Sequence, residues 1–303
     1  MCRCTTLIWL KKQGVANCSY RAVPPVRRNP FALRERTRLH SAIMLAEKPL
    51  PISVCIIASN EAVRIRNSLA SVAGWTQEII VVLNDDVNDG TDKIAAKFGA
   101  KIFREPWKGY GAQKNSAADK ATQPWILSLD ADESVPDALR EEIRRILMQP
   151  VEHAAFCFPR LTEFCGRWIR HGDWYPGRQT RLWRRGRARW SDAEVHETLK
   201  VDGTVGRLHR DLLHNTAETI DRQIAKISRY TDEFARDAAS RGHRAGAFDL
   251  LVRPAWRFFR SYVLRCGFLD GWQGAYIAWM TAFYTATRYA KTRVTPPGKT
   301  EPR

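Results

Sequence analysis

Two carboxylates, Asp130 and Asp132, end a short apolar stretch at residues 126–129 that is typical of a buried strand. Side chains two positions apart on an extended segment point to the same face, so the two acids lie close together. A divalent cation relieves the repulsion between them, and α/β sheets bind their ligands at this end of the strands. The pair therefore predicts a metal-assisted diphosphate site, although an ordinary acidic strand end or helix cap produces the same pattern.

Polar side chains follow two earlier apolar segments as well. Asn60 and Glu61 come after residues 52–58, and a loop with Asn84, Asp85 and Asp86 comes after residues 78–83. Amide and carboxylate oxygens accept hydrogen bonds from a nucleobase N–H or a ribose hydroxyl, so these residues are candidates for binding a nucleotide. A polar turn explains the loop without a ligand, and Asn60 is also a suitable helix cap.

Lys114 and His214 complete the set of candidates that the residue types suggest. Lys114 follows two glycines at a predicted helix start, where a cation beside free backbone N–H groups suits a phosphate. His214 ends a short apolar segment and is a candidate third metal ligand or phosphate contact. A solvent-exposed lysine and a structural histidine are the alternatives.

The segments between these residues alternate between strand and helix. Strands are predicted at residues 52–58, 78–83, 101–103 and 124–129, and helices at 62–72, around 94–98, at 112–121 and at 136–148. We expect Asn60 to cap the first helix, and Ser134 with Asp137 to form a capping box on the last. This alternation predicts an α/β fold with a single Rossmann-like, mostly parallel sheet flanked by helices.

Charge is distributed unevenly along the chain. The net charge is +17, and the basic excess lies in residues 1–43 and 253–303. Residues 160–190 are a local exception, with nine arginines, Arg181 among them, interleaved with tryptophans. Aromatic faces stack on sugar rings and guanidinium groups bind anions, so this segment predicts a surface for an anionic glycan, unless the tryptophans pack in the core. No nucleic-acid partner is expected, because no zinc-finger spacing or RNA-binding motif occurs.

Seven short motifs together resemble the family-two inverting glycosyltransferases of the GT-A fold, and among them the lipopolysaccharide core glucosyltransferases. The resemblance covers about residues 50–290. In chain order the motifs are ASNE at 58–61, NDDVNDGT at 84–91, PWKGYGAQK at 106–114, LDADE at 129–133, HGDWYP at 171–176, VHE at 195–197 and GFLDG at 267–271. The second motif is one residue longer than is usual in that family, so the acid that meets the nucleobase stays open.

This resemblance implies an enzyme that moves a sugar from a nucleotide-sugar donor, guessed to be UDP-glucose, to an anionic or lipid-linked acceptor such as lipopolysaccharide core. It implies a divalent cation, Mn²⁺ or Mg²⁺, held first by Asp132 and then by Asp130. Transfer with inversion needs a base opposite the leaving group. The base is assigned to Glu197, with Asp192 as runner-up. Arg181, Asp130 and Lys114 are assigned to the donor.

The C-terminal part combines apolar, aromatic and basic residues. Residues 250–264 have the composition of an interfacial amphipathic helix, and residues 271–287 carry no charge but are short for a membrane span. These features predict a peripheral anchor on the cytoplasmic face of the inner membrane, or else helices packed on the catalytic domain. Seven scattered cysteines are consistent with reduced thiols in the cytoplasm.

The predicted organisation is a disordered leader or mis-assigned start at 1–43, a nucleotide-sugar half at 50–150, an acceptor half at 151–217, a helical extension at 218–293 and a disordered tail at 294–303. Two other functions fit parts of the sequence. One is a phosphotransferase of the haloacid dehalogenase type, which also uses an Asp-x-Asp pair after a strand, and the other is a noncatalytic protein that binds membranes or nucleic acid. The phosphotransferase is disfavoured because Asp130 ends about the fourth strand rather than the first.

Overall fold

The computed structural model describes residues 48–191, 197–216, 220–242 and 244–295. The predicted leader, most of the predicted tail and the runner-up base Asp192 lie outside these residues.

A seven-stranded sheet forms the centre of the fold, in the order β12-β6-β9-β4-β1-β2-β3. Strands β1 to β4 are parallel neighbours, while β9 runs antiparallel to both β4 and β6. The strands are β1 (Leu50–Ala58), β2 (Thr76–Asn84), β3 (Lys101–Glu105), β4 (Trp125–Asp130), β6 (Ala155–Phe158), β9 (Gln179–Arg184) and β12 (Val205–Arg207). The α/β class with a mostly parallel sheet is therefore confirmed.

Strands β1, β2 and β4 contain continuous apolar runs because both faces of the sheet are covered. Along β2, Val81 and Leu83 lie in one core cluster and Ile80 and Val82 lie in the other. Alternate side chains of a strand point to opposite faces, so a continuous apolar run fits this position. Four helices accompany the strands: α1 (Ile65–Val72), α2 (Thr91–Lys97), α3 (Tyr110–Asp119) and α4 (Asp137–Leu147).

Two of the predicted helix caps are wrong. Helix α1 begins four residues later than Asn60 would require for a cap, and Asn60 Oδ1 instead accepts a hydrogen bond from the backbone N–H of Asn88 at 3.4 Å. Helix α4 has Pro136 at its N-cap and no side-chain cap, since Ser134 belongs to a strand. Asn60 and Ser134 are residue types that often cap helices. Here each makes a contact with a residue distant in sequence instead.

A second sheet lies beside the predicted diphosphate site. Its order is β5-β13-β7-β8, and a separate hairpin pairs β10 with β11. These strands are β5 (Glu133–Ser134), β7 (Arg160–Phe164), β8 (Arg167–Ile169), β10 (Ala188–Trp190), β11 (Leu199–Val201) and β13 (Leu212–His214). Because β5 follows Asp132 directly, this sheet fixes the residues on the far side of the Asp-x-Asp pair.

The C-terminal part is helical, as predicted. Its elements are α5 (Ile220–Ser240), α6 (Ala247–Phe259), a π-helix (Arg260–Leu264), a 3₁₀ helix (Gly267–Asp270) and α7 (Gly271–Val294). Helix α7 packs on both α5 and α6. Within the described residues, no helix combines the length and apolar character that crossing a membrane requires.

One buried carboxylate ties these helices to the loop that follows β8. The Oδ2 atom of Asp270 accepts the backbone N–H groups of Arg170 at 3.0 Å and His171 at 2.8 Å, and its Oδ1 lies 3.0 Å from Nδ1 of His171. The Asp270 side chain is 3 % exposed. A carboxylate can be buried when its oxygens are satisfied in this way, so two of the seven motifs meet here for structural reasons.

Candidate functional site

The residues predicted at three strand ends meet at one edge of the central sheet. Strand β1 lies between β2 and β4, with Ala58 opposite Leu83 and Ile57 opposite Asp130. The three strands are parallel, so the loops that start at their carboxyl ends emerge side by side. The structure thus brings together the 60–61, 84–86 and 130–132 segments.

Asp130 is held between two cations. Its Oδ1 lies 3.1 Å from Nζ of Lys114, and its Oδ2 accepts a hydrogen bond from Nη2 of Arg181. Burial opposes ionisation, but the charges of Arg181 and Lys114 hold the pKa of Asp130 well below its usual range. Both oxygens of Asp130 therefore contact cations in this arrangement, and its assignment as a second metal ligand stays a prediction.

Arg181 is buried beneath the Asp130 carboxylate. Its side chain is 3 % exposed, and besides Asp130 it binds Glu133 Oε1 at 2.8 Å. Glu133 is fully buried, and its Oε2 accepts the backbone N–H of Asp130 at 3.1 Å. Arg181 and Glu133 therefore fix the Asp130 carboxylate from inside the protein, and the assignment of Arg181 to the donor stays a prediction.

Asp132 and His214, two of the predicted cation ligands, lie side by side, and the other carboxylate oxygen of Asp132 is 3.9 Å from Nη1 of Arg64. Their Oδ1 and Nε2 atoms are 3.6 Å apart, and both side chains are partly exposed. The antiparallel pairing of β5 with β13 sets His214 opposite Glu133, next to Asp132 in sequence. On the other side of the ring, Nδ1 of His214 lies 3.2 Å from the hydroxyl of Thr162, which fixes the ring orientation.

These two side chains fit a cation that keeps open positions, not one enclosed by protein. Across the described ranges, no group of three His, Cys, Asp or Glu side chains could surround a metal ion. Mg²⁺ and similar cations at phosphate-transfer sites are held by one or two carboxylates together with phosphate oxygens and water. Asp132 with His214 supplies a ligand set of that size.

Glu197 is the candidate base, and it lies beside the same cluster. Its Oε1 is 3.0 Å from Nζ of Lys114, which also stands over the ring of Trp190 at 4.7 Å. The Lys114 side chain is 6 % exposed, so the alternative of a solvent-exposed lysine is wrong. Lys114 is buried and forms ion pairs with both Asp130 and Glu197. The other candidate base, Asp192, cannot be compared because it is not among the described residues.

A close backbone approach places this base. A Cβ added to Gly111 in helix α3 would lie 2.1 Å from the carbonyl oxygen of Ser191 and 3.7 Å from Cβ of Glu197. Only glycine lets the helix come this near to the end of β10. Gly111 thus serves packing at least as much as phosphate binding.

The nucleotide candidates lie in two loops that are joined by a residue the sequence analysis did not select. Asp89 accepts the backbone N–H groups of Ala62 at 2.9 Å and Thr91 at 3.0 Å, and Thr91 Oγ1 accepts the N–H of Glu61 at 3.0 Å. Burial raises the pKa of Glu61 more than Arg64 lowers it. Asp89 belongs to the Asp-Gly-Thr end of the motif at 84–91, and this was the feature of the sequence that could have indicated that Asp89 joins the two loops.

Asn84, Asp85 and Asp86 border the same edge. Asn84 is half-buried, and Asp85 and Asp86 are exposed to solvent. Their arrangement leaves all three carboxylate or amide groups accessible to a ligand.

The aromatic residues of the arginine-rich segment do not all form the predicted sugar surface. Trp183 is 1 % exposed and Trp190 is 8 % exposed, and their rings contact each other at 6.2 Å between centroids. Trp174 packs edge-on against the buried ring of Phe164. For Trp183 and Trp190, the prediction of a sugar-stacking surface is wrong because both rings are buried in the core, whereas Trp174 is half-buried.

Comparisons with known proteins agree with the motifs. Residues 53–199 match the family model described as glycosyl transferase family 2. The chain is 31 % identical over 255 residues to the lipopolysaccharide core biosynthesis glycosyltransferase LpsC of Rhizobium meliloti, covering 80 % of this chain and 94 % of that protein. It is 29 % identical over 259 residues to an uncharacterized glycosyltransferase of Rickettsia felis, covering 80 % and 89 %.

Solved structures show a distant likeness. The mannosyltransferase PcManGT of Pyrobaculum calidifontis, in complex with GDP-Man and Mn²⁺, aligns with a TM-score of 0.48 at 14 % identity over 86 % of this chain and 95 % of its own. S. aureus TarS 1–349, in complex with UDP-GlcNAc, aligns with a TM-score of 0.43 at 14 % identity over 80 % and 93 %.

Proposed function

Since this chain belongs to glycosyl transferase family 2, we propose that it moves a hexose, with inversion, from a nucleotide-sugar donor to an anionic cell-envelope glycan such as lipopolysaccharide core. The chain is a nucleotide-sugar glycosyltransferase with an α/β fold of the GT-A type. This membership sets aside the phosphotransferase and the noncatalytic alternatives. The observation that carries the finer proposal is the meeting, at one sheet edge, of the Asp132–His214 pair with Glu197.

In this mechanism Glu197 is the base. It removes the proton from an acceptor hydroxyl, whose oxygen then forms a bond to the anomeric carbon as the bond to the nucleoside diphosphate breaks. The contact with Lys114 holds the Glu197 carboxylate in place. Attack on the face opposite the leaving group inverts the anomeric configuration without a covalent enzyme intermediate.

Asp132 and His214 are the residues that would hold a divalent cation, Mn²⁺ or Mg²⁺. When bound, such a cation neutralises the charge that develops on the leaving diphosphate. Lys114 and Arg181 keep Asp130 ionised. Its side chain is 30 % exposed, and this exposed side would orient hydroxyl groups of the donor.

UDP-glucose is our proposed donor, and its nucleoside would meet Asn60, Glu61 and the 84–86 loop. The support is chemical, since accessible amide and carboxylate oxygens at the strand ends suit uracil and ribose donors of hydrogen bonds. Lipopolysaccharide core as acceptor is supported by the similarity to LpsC. The enzyme would work on the cytoplasmic face of the inner membrane, as a peripheral protein attached through its C-terminal helices.

A donor panel tests this function. The full chain is heated with UDP-glucose, ADP-heptose and other nucleotide sugars, with and without Mn²⁺, because a ligand that binds the folded state raises Tm. We expect one donor to raise Tm only in the presence of Mn²⁺, and to release its nucleoside diphosphate when a core oligosaccharide is added. If no donor shifts Tm and no acceptor-dependent release occurs, the proposed function is wrong.

A further inference from the structure

We propose that the hairpin of helices α6 and α7 is a docking surface for a bilayer of anionic phospholipids, in which exposed aromatic residues enter the interface and arginines bind lipid phosphates. This inference rests on the membrane location proposed above and adds the surface and the lipid chemistry.

An exposed apolar stripe runs along α6. Leu251, Trp256 and Phe259 recur at helical spacing and are 71 %, 52 % and 44 % exposed. The opposite side of the helix carries Pro254, which is buried. A helix packed only for stability would turn its apolar side toward the protein, so this stripe is left without a protein partner among the described residues.

Helix α7 continues the same surface. Trp272, Trp279 and Phe283 follow one another at steps of seven and four, and each is more than half exposed. The ring of Phe258 in α6 contacts the ring of Trp279 at 5.6 Å, so the two stripes adjoin. Tryptophan and phenylalanine with leucine on one helical face are typical of helices that lie in a membrane interface.

Arginines border the stripe and are held in position by one acid. The Asp173 carboxylate lies 2.6 Å from Arg260, 3.1 Å from Arg265 and 3.4 Å from Arg257. The side chain of Asp173 is 8 % exposed, whereas the three arginine side chains are 29–42 % exposed. A single buried carboxylate cannot neutralise three arginines, so positive charge and free N–H donors face outward, as phosphate requires.

Charge complementarity identifies the occupant as an anionic bilayer. The acids of the hairpin are already engaged, Asp249 by Arg253 at 2.6 Å and Asp270 by the backbone of the loop after β8. The exposed surface therefore combines apolar and basic groups without a competing acid. Polybasic segments beside apolar helices bind anionic lipids, and each arginine near the surface contributes about 1 kcal/mol.

A hydrogen bond near Asp173 links this surface to the catalytic edge, which is the edge of the central sheet where Asp132, His214 and Glu197 meet. Tyr175, two residues after Asp173, donates a hydrogen bond to Asp211 at 2.9 Å, and Asp211 immediately precedes the strand that ends at His214. Docking of the hairpin would thus hold the acceptor side of the site at a fixed position relative to the lipid surface.

Sedimentation of the full chain with vesicles tests the inference. The probes are vesicles of phosphatidylcholine alone and of phosphatidylcholine with about one third phosphatidylglycerol, at low and high salt. We expect binding to the anionic vesicles only, weakened by salt. Replacing Trp272 and Trp279 together by Ala should lower the partition coefficient roughly tenfold or more, whereas Met148→Ala, an equally exposed apolar residue in a loop after α4, should not.

The charge component is tested by Arg257→Gln with Arg265→Gln. At about 1 kcal/mol per arginine, each change should weaken binding about fivefold. Arg241→Gln, at an exposed arginine just after α5, is the matched control for charge. A chain that never sediments, binds neutral vesicles equally well, or loses as much binding from the controls would overturn the inference. So would self-association that the tryptophan changes abolish, since a second copy would then be the partner.

Failure of this inference can be told apart from failure of the function. Transfer to a soluble acceptor is measured in the same variants, which lie outside the proposed catalytic edge. Transfer without vesicle binding would contradict the docking surface but not the proposed function. Vesicle binding without transfer would contradict the proposed function but not the docking surface.

Discussion

The catalytic edge and the C-terminal hairpin of α6 and α7 differ in how their charged side chains are paired. At the edge, Asp130 and Glu197 are paired with buried Lys114, so each charged group is held by another. On the hairpin, three arginines share one acid and aromatic residues face outward. A site that must orient small reacting groups needs fixed charges inside the protein, whereas a surface that meets a large partner keeps its charges outside.

The largest effect on sugar transfer is expected at Asp132. Asp132→Asn keeps the shape but removes the charge that would bind a cation, so transfer should fall by about 10³-fold and metal-dependent donor binding should weaken. Vesicle binding should not change. Asp137→Asn, an exposed acid on α4, is the control. Transfer at the normal rate by the Asp132 variant, or undiminished activity with excess chelator, would contradict the assignment.

Glu197→Gln comes next. The amide cannot accept the acceptor proton, so turnover should fall by about 10²-fold while donor binding, measured by titration, stays the same. Asp192→Asn is made in parallel. Should that change reproduce the loss and the Glu197 change not do so, Asp192 is the base.

Gly111→Ala tests whether the close approach of α3 positions the base. The new methyl group would meet the backbone oxygen of Ser191, which must move. We expect about 1–3 kcal/mol of destabilisation and roughly a tenfold lower turnover with little change in donor affinity. Gly246→Ala, where the added Cβ has no neighbour nearer than 4.0 Å, is the control. Equal behaviour of the two variants would exclude this role.

The smallest effect on transfer is expected at Glu78, near the start of β2 and remote from both regions. Burial alone would raise its pKa, but hydrogen bonds from Lys101, Ser53 and Thr122 lower the pKa of Glu78 to about 2. A lowered folded-state pKa contributes stability that is complete above the unfolded value near 4.5 and is lost as the pH falls toward 2.

Glu78→Gln should therefore cost on the order of 3 kcal/mol of unfolding free energy at neutral pH. The cost should shrink as the pH falls from about 4.5 toward 2, and transfer at neutral pH should be unchanged. Denaturant unfolding across this pH range measures it. A constant difference between the two proteins at every pH would show that packing, not ionisation, is responsible.

Much of the scaffold was predictable from local pattern. The alternating apolar segments gave β1, β2 and β4 close to their observed bounds, and the acids that follow them do meet at one edge. This succeeds because apolar periodicity reports which faces are buried, and parallel strands bring their carboxyl ends together. The errors at Asn60 and Ser134 arose because a local cap competes with contacts from distant residues.

The α/β order, the family motifs and most of the charged residues at the candidate site can be found from the amino-acid sequence alone. Their contacts follow from the assembled fold: Arg181 and Glu133 lie beneath Asp130, His214 reaches Asp132 through the pairing of β5 with β13, and Trp183 belongs to the core. The physical reason is that periodicity along the chain describes neighbours a few positions apart. Ion pairs and strand pairings between residues about fifty to eighty positions apart depend on how the sheets assemble.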